Sequence, residues 1–427
     1  MKQRTQDDII VALDIGTSKV VSIVGQIDED NQLEIIGLGS QPCGGLKRGV
    51  VVDIEETTRA IKKAIQEAEL MAGCRISKVY AGIAGDHVSS LNSQGVVALK
   101  DKEVTPSDVE RVIDTARAVH IASEHKVLHI LPQEFTIDDS QGIREPIGMS
   151  GIRLSAKVHL ITCAQNAAQN IEKCIRKCDL EAEELILEQL ASSFAVLLDD
   201  ERELGACVVD IGGGTTDIAV YSQGATRYVA NIPLAGDQVT SDIAKTLRTP
   251  TAAADELKKR YGCALAHMAK EEELIKVPSV GEREPRDLSR RHLAEVIEPR
   301  YEEIFTMVLH ELRRNGLEEL IPAGIILTGG GSKIEGAEYL AEEIFHMPVR
   351  VGYPRGVIGL KDVVENPIFS TGVGLLLYAK KISDDGRKFV SSSIRSASGS
   401  NKNLKVEKKA SNKPSLLTKL KNWLDGF

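Results

Sequence analysis

Apolar positions open the chain in short, nearly continuous runs. IIVALDIG, KVVSIVGQI and LEIIGLGS, between residues 9 and 39, predict three strands with a polar turn at 28–31. EETTRAIKKAIQEAELMAG, residues 55–73, switches to helical spacing and ends on a glycine, the residue type suited to a helix C-terminus. KVYAGIAG returns to strand. Between about 86 and 162 the texture changes: a strand pair in HVSSLNSQGVVAL, a helix in SDVERVIDTARAV begun by Thr105 and Pro106, then strands around VLHILPQEFTI and LSAKVHLITCA. That sequence of elements predicts a compact α+β insertion. Residues 165–179 and 185–198 read as helices, and ACVVDIGGGTTDIAVY as strand, turn and strand. Residues 238–315 read as mainly helical with one polar interruption near 278–285. IPAGIILTGGGSKIEGAEYLAEEIF reads as buried strand, glycine turn and helix, and NPIFSTGVGLLLYAKKI as a closing helix.

After about residue 383 the periodicity stops. Residues 383–413 carry too few aliphatic side chains to offset the entropy of ordering them, and they predict a disordered linker. Residues 414–427, PSLLTKLKNWLDGF, regain a pattern. Leu416, Leu417, Leu420, Trp423, Leu424 and Phe427 share one face of a helix, opposite Thr418, Lys419, Lys421, Asn422 and Asp425. Such a helix can lie on a membrane surface, dock on its own body or enter a partner's groove; Trp, Leu and Lys are the types expected at a membrane interface.

Charge sharpens that reading. The formal net charge is −9, yet residues 380–427 hold twelve Lys/Arg against four Asp/Glu, a net of +8, leaving −17 on the body. An acidic body argues against nucleic acid, and a basic tail suits an anionic surface. Lys405, Lys408, Lys409 and Lys413 would each add up to about 1 kcal/mol toward anionic lipid. No apolar window approaches a membrane span, and the start of the chain does not read as a signal peptide. The seven cysteines lack metal-ligand spacing and predict reduced thiols in a cytosolic protein.

The chemistry lies in a duplication. VALDIGTSKVVSIV (11–24) and VVDIGGGTTDIAVY (208–221) share one plan, an apolar strand, Asp, Ile, Gly, a Thr-bearing turn and a second apolar strand, with Asp14 and Asp210 in matching places. Glycine lets such a turn bring backbone N–H groups close to a ligand, and Thr and Ser hydroxyls add donors for phosphate oxygens. A carboxylate at the end of each first strand suits Mg²⁺, which pairs carboxylates with phosphates and retained water. Two such hairpins facing each other would hold a nucleoside triphosphate without a Walker A loop, of which the chain has none. LTGGGSKIEG (327–336) is a third glycine cluster; it reads either as a helix-start turn or as a floor for an adenine ring.

These motifs, in this order, resemble the actin, large heat-shock chaperone and sugar kinase superfamily. LDIGTSKV is similar to its first phosphate motif, VVDIGGGTTDIAV to its second and ILTGGGSKIEG to its adenosine motif; ILEQLASSFAVL and NPIFSTGVGLLLYA are similar to its two connecting helices. The resemblance implies an α/β fold of two duplicated ribonuclease-H-like lobes around a nucleotide cleft, with ATP and Mg²⁺ as cofactors. It implies that Asp14 and Asp210 orient Mg²⁺, mostly through water. Gly16, Thr17, Ser18 and Lys19, with Gly212, Gly213, Gly214, Thr215 and Thr216, would surround the phosphates, and Gly236 would mark a later turn near them. Asp255 and Lys258 would approach the ribose and adenine, although the family more often has Glu at the first of these. Gly330, Gly331, Ser332 and Lys333 would contact the adenine side, and Glu188 would orient attacking water, with at most weak hydrolysis implied.

Within that superfamily the insertion at 86–162, the stretches GLKRGVVVDI and HILPQEFTID, and the basic tail resemble the FtsA family of bacterial cell-division proteins. A body ending near 382 leaves no room for a chaperone's peptide-binding domain. This resemblance implies the following boundaries: a first lobe at 1–85 and 163–204, completed by 362–382; an insertion at 86–162; a second lobe at 205–239 and 301–361; a helical small subdomain at 240–300; a linker at 383–413; and a membrane-targeting helix at 414–427. It implies head-to-tail polymerisation on the cytoplasmic face of the membrane at the division septum, tethering of FtsZ through that terminal helix, and recruitment of later division proteins. The FtsZ C-terminal peptide would bind at 240–300, where Arg283, Arg286, Arg290, Arg291 and Arg300 could meet an acidic peptide or simply form a solvated helical face. The alternatives are an assembly adaptor like the type IV pilus protein PilM and a small-metabolite kinase of the same superfamily.

Overall fold

The computed structural model describes residues 9–281 and 283–382. Two mixed sheets carry the same plan. In the first, the hairpin Ile9–Ile15 with Lys19–Ile27 is extended by antiparallel Leu33–Pro42 on one side and parallel Lys78–Ile83 on the other. In the second, the hairpin Ala206–Ile211 with Thr216–Ser222 is extended by antiparallel Ala225–Ile232 and parallel Ile325–Thr328. Glu181–Leu187 and Ile358–Gly359 complete the first sheet at its edges, and Val349–Val351 completes the second. The hairpin strands are buried on both faces, which is why they read as continuous apolar runs instead of alternating ones.

Local chemistry fixes the helices. Asp53 caps Ile54–Ala72 by accepting from the Glu56 N–H at 3.0 Å, and Gly73 ends it at φ 64°. Gly39 lets that helix lie against the sheet, since a Cβ there would stand 1.9 Å from the Ala64 carbonyl oxygen. One buried cluster joins Ile10 and Ile23 of the first sheet, Val208 and Ala219 of the second, and Leu375, Leu376 and Ala379 of the closing helix at 370–382. The lobes therefore share a core behind the two hairpin turns.

The insertion is a four-stranded antiparallel sheet in the order Val88–Ala98, Arg153–Ala164, His125–Ile137, Ser140–Ile143. Its helix, Pro106–Arg117, starts on a reciprocal cap between Thr105 and Asp108 and packs on one face. The other face meets the second lobe. There Gln133, at a bulge beside Pro132, donates to the Thr226 carbonyl at 3.0 Å, and the Ser90 hydroxyl donates to the Val229 carbonyl at 3.2 Å.

Several expectations need correction. HVSSLNSQGVVAL holds one eleven-residue strand instead of a pair. Gly95 serves helix packing, not a turn, because a Cβ there would sit 2.1 Å from the Val112 carbonyl oxygen. Residues 185–198 divide into the end of a strand, Glu181–Leu187, and a helix, Glu188–Val196. The polar interruption in the small subdomain is flanked by a two-stranded ladder, Leu274–Val277 with Arg286–Ser289. The linker and the terminal helix, with Leu416, Leu417, Leu420, Trp423, Leu424 and Phe427, lie outside the described residues. Among the described residues, no helix is long and apolar enough to cross a membrane.

Candidate functional site

The two glycine turns close identically. The Gly16 N–H donates to the Lys19 carbonyl at 3.0 Å, and the Gly212 N–H to the Thr215 carbonyl at 2.9 Å. They meet tip to tip: a Cβ on Gly213 would lie 3.0 Å from Ser18 Cβ, and one on Gly214 2.7 Å from Thr17 Oγ1. The loop before the first helix forms a further wall, with the Gly49 N–H donating to Thr17 Oγ1 at 3.1 Å. Gly236 lies against the second turn, its N–H donating to the Gly212 carbonyl at 3.2 Å. Lys258 ties that point to the next helix by donating to the Gly236 carbonyl at 2.9 Å and to Thr240 Oγ1 at 2.6 Å, while pairing with Asp255 at 3.0 Å.

Behind the turns four carboxylates gather. Asp14 and Asp210 end the first strands of their hairpins, and both are buried. Asp217 faces Asp210 directly across the second hairpin, held by Thr215 Oγ1 at 3.1 Å and by the Asn231 amide. Glu188 opens its helix against Gly82, where a Cβ would come 2.8 Å from its Oε1. Burial is the main reason the carboxyl groups of Asp14 and Asp210 are pushed up to about 6 and that of Asp217 to about 7. Glu188 is raised well above the usual carboxylate range by burial, then by Asp14, Asp217 and Asp210. Lys19 opposes them. Its ammonium donates to the Ile368 carbonyl at 2.6 Å and lies 5.1 Å from the centre of the Phe369 ring, and burial lowers its pKa against the pull of Asp14 and Asp210.

Such a cluster has an unmet demand for positive charge, which a hydrated divalent cation bound to phosphates would satisfy. Among the described residues no three His, Cys, Asp or Glu side chains converge to hold a metal by themselves. The donor set therefore fits an ion held partly by ligand oxygens and water.

Asp14, Lys19, Glu188, Asp210 and the turn residues 16–18 and 212–214 come together, with Gly236, Asp255 and Lys258 continuous with them. Some hydroxyls are engaged elsewhere. Thr216 Oγ1 donates to the Leu234 carbonyl at 2.7 Å, and buried Ser332 Oγ closes its own turn onto the Gly329 carbonyl at 2.8 Å. The third glycine cluster forms a short 3-10 turn, Gly330–Lys333, and the helix begins only at Ala337. Gly330 and Lys333 are exposed on it, and Gly331 is pinned by Tyr301 Oη at 2.9 Å. Gly329, which the motif did not single out, is the constrained position: φ is 80°, and a Cβ would fall 2.2 Å from Asp210 Oδ1. Asp217 was likewise missed, although its place one strand-pair across from Asp210 in DIGGGTTD is readable from the hairpin register.

The arginines of the small subdomain are largely neutralised. Arg290 pairs with Glu273 at 3.3 Å and with Glu335, Arg300 with Asp242 at 2.6 Å and with Glu303, and Arg291 with Glu295 at 3.7 Å. Arg286 donates to the Leu247 carbonyl. Three of the five arginines, Arg290, Arg291 and Arg300, are thus paired with carboxylates of the chain itself, while Arg283 and Arg286 are exposed.

The family profile described as "Cell division protein FtsA" matches residues 207–374, and that of the "SHS2 domain inserted in FTSA" matches residues 85–162. The chain is 60% identical over 418 residues to the cell division protein FtsA of Pseudomonas aeruginosa, covering 98% of each chain. In fold it is similar to the PilM–PilN type IV pilus biogenesis complex, with TM-score 0.63, 19% identity, and coverage of 86% of this chain and 97% of that one. It is also similar to MreB5 of Spiroplasma citri bound to ADP, with TM-score 0.55, 17% identity, and coverage of 89% and 98%.

Proposed function

The chain belongs to the FtsA family of actin-like bacterial cell-division proteins, and from that premise we propose that it binds ATP with Mg²⁺ between its two glycine hairpins and acts as a membrane tether for FtsZ. The observation that carries the nucleotide reading is the tip-to-tip meeting of two identically closed glycine turns over three buried aspartates, the half-buried Glu188 and one lysine. The ADP bound by the MreB5 relative supports it. Asp14 and Asp210 would hold the cation mostly through water, the turns at 16–18 and 212–214 would present N–H groups to the phosphates, and Lys19 would share their charge. The bound Mg²⁺ would supply phosphate charge neutralisation. Replacing Asp210 with Ala should weaken Mg-ATP binding by about tenfold or more, because a metal-orienting charge is lost. Unchanged affinity in titration calorimetry would refute the site.

The tether reading adds head-to-tail polymers on the cytoplasmic face of the membrane at the septum, attached through residues 414–427. One short helix binds a bilayer marginally, and a polymer presenting many of them binds firmly by avidity. A flexible linker over residues 383–413 would span about 30 Å root-mean-square, at ~5–6 Å × √n. The FtsZ C-terminal peptide would dock in the 240–300 subdomain, and other division proteins on the insertion. Full-length protein should float with anionic vesicles, whereas Trp423→Glu should remain in the soluble fraction with nucleotide affinity unchanged. Co-flotation of that variant at the wild-type level would reject the anchor.

A further inference from the structure

Among the described residues, five of the six edges of the three large sheets are blunted against pairing with another chain. Glu181–Leu187 carries three glutamates and a register shift, Val349–Val351 is three residues with Arg350, Ile358–Gly359 is two, and Ser140–Ile143 is four. Ala225–Ile232 is covered by the insertion. These are the usual defences of an edge strand. Beyond Ser90, whose hydroxyl bonds the second lobe, Val88–Ala98 has none of them among the described residues. It runs eleven residues without a charge, a proline or a register shift against its neighbour, and most of its side chains are exposed, Val96 at 48%.

Its free hydrogen-bonding row can be assigned. The His87 carbonyl accepts from the Ala164 N–H at 3.2 Å, and the Leu99 N–H donates to the Ile152 carbonyl at 2.8 Å, so odd-numbered backbone groups point into the sheet. Even-numbered groups point outward, and Arg111 reaching the outward Ala98 carbonyl at 2.7 Å agrees. The backbone groups of Asn92, Gln94 and Val96 thus form an open row.

We propose that this strand pairs with the same strand of a second copy of the chain, antiparallel about a two-fold axis at Gln94, joining two insertions into one continuous sheet. Asn92 would face the partner's Val96 and Gln94 would face itself, exchanging about six backbone hydrogen bonds. A two-fold contact must be self-complementary, and no residue along the strand would meet its own charge at the axis. The antiparallel arrangement also brings the Asp86 end of one strand toward the Lys100 and Lys102 end of the other, a favourable exchange. This contact is isologous, so it is distinct from head-to-tail growth and does not depend on the nucleotide reading.

The test is sedimentation of the full chain without nucleotide or membrane across a concentration series. Gln94→Pro removes an outward N–H and no bond within the sheet, so the fold should persist while self-association weakens by about tenfold or more. Gln94→Lys and Gln94→Asp should each weaken it by about fivefold, and an equimolar mixture of the two should recover it. Wild-type protein that stays monomeric throughout, association unchanged in Gln94→Pro, or no recovery in the mixture would each overturn the proposal.

Discussion

The two glycine hairpins share a backbone and differ in charge. Opposite Asp14 across the first hairpin stands Val21, fully buried; opposite Asp210 across the second stands Asp217. The first turn ends on Lys19, and the second, at the matching place, on Thr215 and Thr216. The first hairpin is thus an acid–base pair and the second a pair of acids, linked by a lysine whose charge acts on Asp14 and Asp210 together. The two copies share the geometry of the glycine turn and divide the electrostatics. A phosphate ligand bound between them would need cationic charge from outside, on the second side above all.

The sharpest way to break that asymmetry is to remove the shared cation. Lys19→Met keeps the length of the side chain and leaves the buried carboxylates uncompensated. A charge-assisted hydrogen bond contributes about 1.5–3 kcal/mol, so Mg-nucleotide affinity should fall by roughly 10- to 100-fold in calorimetry at pH 7.5. An equal loss from Lys258→Met, which lies on the helix Thr251–Tyr261 outside both hairpins, would show that the cation's place in the first hairpin does not matter.

A second test uses pH. Asp14, Asp210 and Asp217 have folded pKa values raised to about 6, 6 and 7 by burial. Their contribution to stability is fully present below the unfolded value near 4 and is lost as pH rises through 6–7. Two buried imidazoles act in the opposite sense: His159, lowered to about 4, and His87, also lowered, gain stability with rising pH up to the ordinary histidine range. The difference between proteins isolates the carboxylate. Ligand-free Asp217→Asn should gain on wild type between pH 5 and pH 7.5, by up to about 3 kcal/mol for a shift of this size. Parallel denaturation midpoints across that range would remove Asp217 from the charge argument.

What the sequence disclosed follows the same division between backbone and environment. Gly16 and Gly212 were legible because a turn that tight between apolar strands leaves a local signature, and the register of each hairpin follows from it. HVSSLNSQGVVAL was misread as a strand pair, because in sequence a glycine that admits a helix, as Gly95 does, cannot be told from one that makes a turn. Glu188 was found as a residue and lies on a helix as expected, but Leu185–Leu187 before it end a strand, since LILEQL is apolar enough for either a strand or a helix until its neighbours are known. Asp217 and Gly329 were overlooked because what matters in each is a contact with Asp210, across a strand pair for one and between separate segments for the other. Arg290 and Arg300 read as part of a basic patch because their partners, Glu273, Glu335 and Asp242, come from elsewhere in the chain.

The smallest effect on binding, and the most selective, should come from Glu188. It belongs to neither hairpin; it stands at the first turn of its helix, facing both, and burial and the aspartates beside it hold its pKa well above the usual carboxylate range. A divalent cation brought in with a nucleotide would stabilise the charged form and lower that pKa, so the group would become a base only when the ligand is in place. Glu188→Gln preserves the shape and hydrogen-bonding capacity while removing the titration. Mg-nucleotide affinity should stay within about twofold of wild type, and whatever hydrolysis the protein performs should fall by about 100-fold, the lower end of what a positioned base contributes. Hydrolysis unchanged in a phosphate-release assay would reduce Glu188 to a helix-start residue packed on Gly82. Loss of binding instead would place its charge among the groups that hold the cation, alongside Asp14 and Asp210.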